Sequence, residues 1–226
     1  MNIALIAGLW LDASAWDDVV PLLREAGHNP VPVLLSGQGD GSTTATLEDQ
    51  VVAVTDAIDS APGRVLVVGH SAASTLAWIA ADRRPDKVEK VVLIGGFPSA
   101  EGEAYADLFE YHNDAMPFPG WSHFAGPDSR DLDEQTKDRI AAGSIPVPQG
   151  VAKAVVHLTN PRRYQLPVVV VCPEFSVDQA REWVASGVPA LKQAKDVRYV
   201  DIDSGHWPMF TQPDELARIL SQLASA

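Results

Sequence analysis

The sequence predicts an α/β fold: a mostly parallel, doubly wound sheet of about six strands, with a helical lobe inserted after the fourth strand. Three observations carry this. Short Val/Ile/Leu runs alternate with helix-spaced patterns. The runs are apolar throughout rather than alternating, as in strands buried on both faces. The rhythm then fails over residues 97–166, where Pro, Gly and aromatic residues cluster.

Taken in order, strands are expected over 3–7, 31–35, 65–68, 91–94, 168–172 and 197–202. A first helix over 13–26 stops at Gly27. A second, over 46–60, opens on Thr46 as N-cap with Asp49 three residues on. A third follows strand three over 71–81. The fourth, over 177–185, is preceded by Ser176 with Gln179 three residues later, a capping box. The last runs over about 211–223. Right-handed crossovers place these helices on both faces of the sheet. Between strands four and five no strand-like run occurs. Weak helical patterns at 99–112, 132–142 and 149–158 are separated by Met116-Pro117-Phe118-Pro119-Gly120 and Ile145-Pro146-Val147-Pro148. The reading is a core made of residues 1–96 and 167–226, with 97–166 as an inserted helical cap.

The chain has 226 residues, 46% of them hydrophobic, enough for one sizeable core. Its formal net charge of −13 repels nucleic acid and anionic lipid, so neither is an expected partner. The single cysteine, Cys172, ends a valine run and reads as a buried small hydrophobe. With no intrachain disulfide possible, a cytoplasmic location is expected. The N-terminus reads as a first strand rather than a secretion signal, and no apolar stretch is long enough to span a bilayer. The sequence sets no oligomeric state.

The chemistry concentrates in two places. The first is Val65-Leu66-Val67-Val68-Gly69-His70-Ser71-Ala72-Ala73-Ser74. A serine at a tight strand-to-helix turn is held with its hydroxyl exposed, and small flanking residues let strand and helix approach closely. The N–H that follows lies at a helix N-terminus, where it can stabilise an oxyanion. The second is Asp203-Ser204-Gly205-His206-Trp207. A histidine just past the last strand reaches the carboxyl edge of the sheet, where open α/β folds bind ligands, and can act as general base toward Ser71. His28 reads as a surface turn residue. His112, His123 and His157 lie in the cap, within possible reach of substrate. None has metal-ligand spacing, and neither a P-loop nor a full G-x-G-x-x-G is present, so no metal and no cofactor are expected.

These residues resemble the α/β-hydrolase superfamily, and more loosely its compact members similar to plant esterases and hydroxynitrile lyases. Ile3 through Trp10, with Trp16, looks like the first strand and oxyanion loop. Ser36-Gly37-Gln38-Gly39-Asp40-Gly41-Ser42 resembles the glycine-rich loop that follows the second core strand. The resemblance implies a nucleophile at Ser71, a base at His206, and an oxyanion hole made by the N–H groups of Leu9 and Ala72. The usual His-Gly of the first loop is Ala7-Gly8 here, and the last glycine of the elbow is Ala73. The family's acid position, about four residues past strand five, falls on Ser176. Glu174, on the same loop, is the first choice for the acid, Asp178 the second, and no acid in the usual sense the third. Trp10, Phe97, Trp121 and Trp207 are expected to line an apolar substrate pocket.

Three functions follow. The first is hydrolysis of a small apolar carboxylic ester or lactone through an acyl-enzyme. The second is a cofactor-free reaction on the same fold, such as a hydroxynitrile lyase-like cleavage. The third is non-catalytic binding of a small molecule, favoured by the departures at Ala7, Ala73 and Ser176 and opposed by the retention of Ser71 and His206.

Overall fold

The apolar runs form strands that bury both faces. The computed structural model describes residues 1–225. Its strands are β1 (Asn2–Ile6), β2 (Asn29–Pro32), β3 (Val65–His70), β4 (Val88–Ile94), β5 (Ala115–Met116), β6 (Val147–Pro148), β7 (Val168–Cys172) and β8 (Val197–Asp201). Six of them make one sheet in the order β2-β1-β3-β4-β7-β8, and every pair in it is parallel. The α-helices are α1 (Val19–Glu25), α2 (Leu47–Ser60), α3 (Ala73–Arg83), α4 (Glu134–Gly143), α5 (Gln149–Ala152), α6 (Val177–Gly187), α7 (Pro208–Thr211) and α8 (Pro213–Ser225).

Residues of each central strand alternate between two cores. Val65, Val67, Val91, Leu93, Val168 and Val170 face a core shared with Val54 and Ile58 of α2 and Leu76 and Trp78 of α3. Leu66, Val68, Val92, Ile94, Val169 and Val171 face the other, shared with Leu23 of α1 and Ile219 and Leu220 of α8. Each such buried Val or Leu contributes about 1.5–3 kcal/mol relative to exposure. That two-sided burial explains the continuous valine runs.

Several expected elements are corrected. The second strand runs over Asn29–Pro32 rather than 31–35, because β1 begins at Asn2 and pairs it with Asn29. Its Pro30 and Pro32 are tolerated because β2 is an edge strand. The first helix divides into a 3₁₀ turn, Ala13–Trp16, and α1. Pro21 lacks an N–H and fits only near a helix start, which α1 provides by beginning at Val19. The third helix begins at Ala73, because Ser71 is left-handed. The last divides at Gln212, which precedes Pro213 and is pushed out of the α region.

The helix expected over 99–112 does not form, and 149–158 yields only the single turn α5. Their backbone groups pair with each other instead. Gly102 N–H donates to Val156 O, Tyr105 N–H to Ala154 O and Ala106 N–H to Ala152 O, while Val156 N–H returns to Glu103 O. Segment 97–166 also holds the antiparallel pair β5–β6, a strand pairing the sequence pattern did not announce. Helix α4 matches the expected 132–142, starting two residues later behind an Asp133 N-cap.

Candidate active site

The elbow is built by contacts that admit only small residues. Ser71 sits at φ 55°, in the left-handed region, which costs a non-glycine residue about 1–2 kcal/mol. Its N–H donates to Ile94 O at 2.8 Å and its carbonyl accepts from Ser74 N–H at 3.0 Å, so both sides of the residue are fixed. A Cβ at Gly69 would collide with the carbonyl of Ala73, and one at Gly96 would lie 2.5 Å from the Ser71 carbonyl oxygen. Ala73 itself is fully buried, so a methyl group fits where the common pattern has glycine.

His206 and Glu174 complete a hydrogen-bonded chain. Ser71 Oγ–H donates to His206 Nε2 at 2.9 Å, and His206 Nδ1–H donates to Glu174 Oε1 at 2.7 Å. The side chains of His206 and Glu174 are 13% and 12% exposed, so solvent screens the pair weakly. Glu174 Oε2 is buried with no partner. Asp178, the second choice for the acid, is 91% exposed and pairs with Arg181. Ser176 accepts from Gln179 N–H and caps α6, with Gln179 returning to the Ser176 N–H, which closes the capping box.

The oxyanion loop lies against the elbow. A Cβ at Gly8 would lie 2.8 Å from His70 Nδ1 and 3.1 Å from both His70 O and Ser71 Cβ, so glycine lets the Gly8–Leu9 peptide lie close against the elbow. Trp10 is also left-handed, at φ 63°, and its Nε1–H donates to Met116 O. That anchors the loop to segment 97–166. Among the described residues the N–H groups of Leu9 and Ala72 meet no hydrogen-bond acceptor.

The four expected pocket residues fall into two aromatic groups. Trp10 touches Phe118 and Phe124 at ring separations of 5.5 and 5.9 Å, and Phe124 continues to Trp207 at 5.3 Å. Trp207 meets Trp121 edge-on and packs against the His206 ring. Phe97, next in sequence to Gly96, belongs to a separate group with Trp183 and with Phe175, which follows Glu174. Trp10 and Trp207 are buried, while Phe97 and Trp121 are partly exposed. A cavity of about 560 Å³ opens beside the first group, lined by Leu108, Phe109, Phe118, His112 and His123. His157 pairs with Glu101 at the surface, and half-buried His28 bonds Ser221.

Two neighbours of the site carried no clear sequence signal. His70 is wholly buried. Its Nε2–H donates to the His206 carbonyl at 2.8 Å, while Nδ1 has no partner. Burial, reinforced by the nearby His206, lowers its pKa to about 3, so the ring is neutral. Asp128 accepts the His206 N–H on its carbonyl at 2.7 Å. Burial raises its carboxyl above the usual range, His206 opposing and Glu174 adding to the shift. The only hint in sequence is Gly205, whose lack of a Cβ lets Asp128 approach. Among the described residues no group of three His, Cys, Asp or Glu side chains could hold a metal ion, and no helix is long and apolar enough to cross a membrane.

Comparison with known proteins gives a consistent picture. The sequence model of the Alpha/beta hydrolase family matches residues 3–219. A chloroplastic protein of Arabidopsis thaliana that carries the name methylesterase 14 is 26% identical over 256 residues, covering 97% of this chain and 71% of that protein. Among solved structures, an extracellular α/β-hydrolase from a Paenibacillus species superposes with a TM-score of 0.81 at 19% identity, over 98% of both chains. The Arabidopsis methylesterase MES16 superposes with a TM-score of 0.78 at 17% identity, over 100% of this chain and 99% of the other. At such identities the structural likeness speaks for the fold.

Proposed function

The chain belongs to the alpha/beta hydrolase family, and from that premise we propose that it cleaves a small carboxylic ester or lactone through an acyl-enzyme on Ser71. The observation that carries this reading is the unbroken chain from Ser71 Oγ through both nitrogens of His206 to Glu174. In the proposed reaction Ser71 attacks the carbonyl carbon while His206 Nε2 takes its proton. Glu174 holds the ring in the Nδ1–H tautomer and stabilises the imidazolium that forms. The tetrahedral oxyanion lies between the free N–H groups of Leu9 and Ala72, each such donor worth about 3 kcal/mol in the transition state. Collapse expels the alcohol, which leaves with the proton from His206. Water, deprotonated by the same nitrogen, then releases the acid and restores Ser71.

Segment 97–166 is read as the cap of this site, its aromatic groups favouring an apolar acyl or alkoxy portion. The methylesterase names of its relatives make methyl esters the first substrates to try. In a panel of methyl and p-nitrophenyl esters, Ser71→Ala is expected to lower kcat at least roughly 10³-fold. Cyanohydrin cleavage in place of ester turnover would favour the lyase reading. Binding of an apolar ligand without any turnover would favour the non-catalytic one.

A further inference from the structure

The seat of His206 is built largely by residues outside the sheet. The turn Asp128-Ser129-Arg130-Asp131 of the inserted segment touches four consecutive residues of the histidine loop. The Arg130 guanidinium bonds Asp203 and donates to the Ser204 carbonyl at 3.1 Å. Asp131 Oδ2 accepts the Gly205 N–H at 2.8 Å, and Asp128 O accepts the His206 N–H. A Cβ at Gly205 would collide with both Asp128 O and Asp131 Oδ1, so glycine there is what admits the turn. On the far side His70 holds the His206 carbonyl. The His206 peptide is therefore gripped at both ends, and its side chain has little freedom except to face Ser71 and Glu174.

Asp131 is the side chain of the turn that accepts a backbone N–H of the histidine loop. Its Oδ1 is buried with no partner. A half-buried carboxyl with one oxygen left without a partner is a poor source of stability. Its geometry instead fits a local task, fixing the Ser204–Gly205 peptide immediately before the base.

We propose that Asp131 is a positioning residue for His206, so that the inserted segment forms part of the catalytic base's seat. This rests on the reading of His206 as the base of a serine hydrolase. Loss of the acceptor lets the Ser204–Gly205 peptide drift and His206 with it, and a misplacement on the order of 1 Å costs up to roughly 10²-fold in rate. Substrate contacts are untouched, so the effect falls on kcat rather than KM.

The test compares wild type with Asp131→Ala, Asp131→Asn and Gly205→Ala, using p-nitrophenyl acetate turnover, the rate and final stoichiometry of fluorophosphonate labelling, and amide hydrogen exchange. Asp131→Ala is expected to lower kcat about 10- to 100-fold with KM within about threefold. Labelling should be slower by a similar factor yet reach one group per chain. Asp131→Asn, which retains an oxygen acceptor, should recover most of the rate. Gly205→Ala, which displaces the turn sterically, should reproduce the loss. Exchange at Gly205 and His206 should quicken in Asp131→Ala while the sheet amides stay protected. Wild-type kcat in Asp131→Ala, a loss in stoichiometry alone, or failure of the asparagine to recover rate would each overturn the proposal. If wild type is neither labelled nor active, the hydrolase reading fails, whereas the exchange rates still decide whether Asp131 holds the loop.

Discussion

Single side chains decide the chemistry, and Glu174 is the informative one. The family resemblance puts its acid position at Ser176, with Glu174 the first choice for the acid; the loop sets Glu174 on His206 and uses Ser176 as a helix cap. The longer glutamate side chain spans the two-residue offset. Glu174→Gln is expected to lower kcat roughly 10³- to 10⁴-fold in steady-state ester hydrolysis, while Asp178→Asn leaves it within about twofold. Ser176→Asp should change neither activity nor stability appreciably, since aspartate caps as well as serine. A gain in rate from that variant would show that position 176 reaches His206.

His70 adds a pH dependence. Its pKa is lowered from 6.5 to about 3 in the folded chain, so the unfolded chain binds more protons between those values. Stability contributed by the neutral ring is complete above pH 6.5 and is lost as pH falls toward 3, with a slope of about 1.4 kcal/mol per pH unit. Urea midpoints measured from pH 7 to pH 4 should therefore fall more steeply for wild type than for His70→Gln. Equal slopes would mean that the buried ring is not neutral in the native state.

At the scale of elements, the β3–α3 turn and the capped helices were legible because their signals are local. Gly69, Ala72 and Ala73 are small for a reason that the elbow alone supplies, and the capping boxes at Thr46 and Ser176 each place a helix start to the residue. Gly69→Ala drives a methyl group into the Ala73 carbonyl and is expected to cost about 2–3 kcal/mol in chemical denaturation. A neutral result would mean that strand and helix part there without strain. The segment between β4 and β7 was the least legible part. Its residues 99–112 have helical composition, yet the amides of Gly102, Tyr105 and Ala106 are satisfied by partners some fifty positions away, in 152–156. No window of local sequence records such pairing. The turn that grips the histidine loop was missed for the same reason. Its contacts with Gly205 and His206 span more than seventy positions.

At the scale of the whole molecule, the sheet was legible because two-sided burial writes itself into the sequence as unbroken valine and leucine runs, and crossovers of one hand put the helices on both faces. Segment 97–166 is tied back to this frame at several places, among them Trp10 to Met116, the 128–131 turn to the histidine loop, and Arg163 to Asp82. The last is an ion pair with side chains 7% and 2% exposed, in which Asp82 also accepts the N–H groups of Thr159 and Asn160. Arg163→Leu strands that carboxylate and is expected to cost about 3–5 kcal/mol by urea unfolding, with Asp82→Asn/Arg163→Leu recovering part of the loss. A cost below about 1 kcal/mol would place the pair among surface bridges.

The first two of these ties flank a serine whose hydroxyl lies 2.9 Å from the oriented imidazole of His206. The most direct measurement is peptide mapping of the folded protein after reaction with a fluorophosphonate, read beside ester turnover in wild type and Ser71→Ala. The account predicts one phosphonyl group per chain, carried by Ser71, with turnover lost in step with labelling and absent from Ser71→Ala. Ester turnover that persists in Ser71→Ala, or a label that settles on another residue, would contradict it.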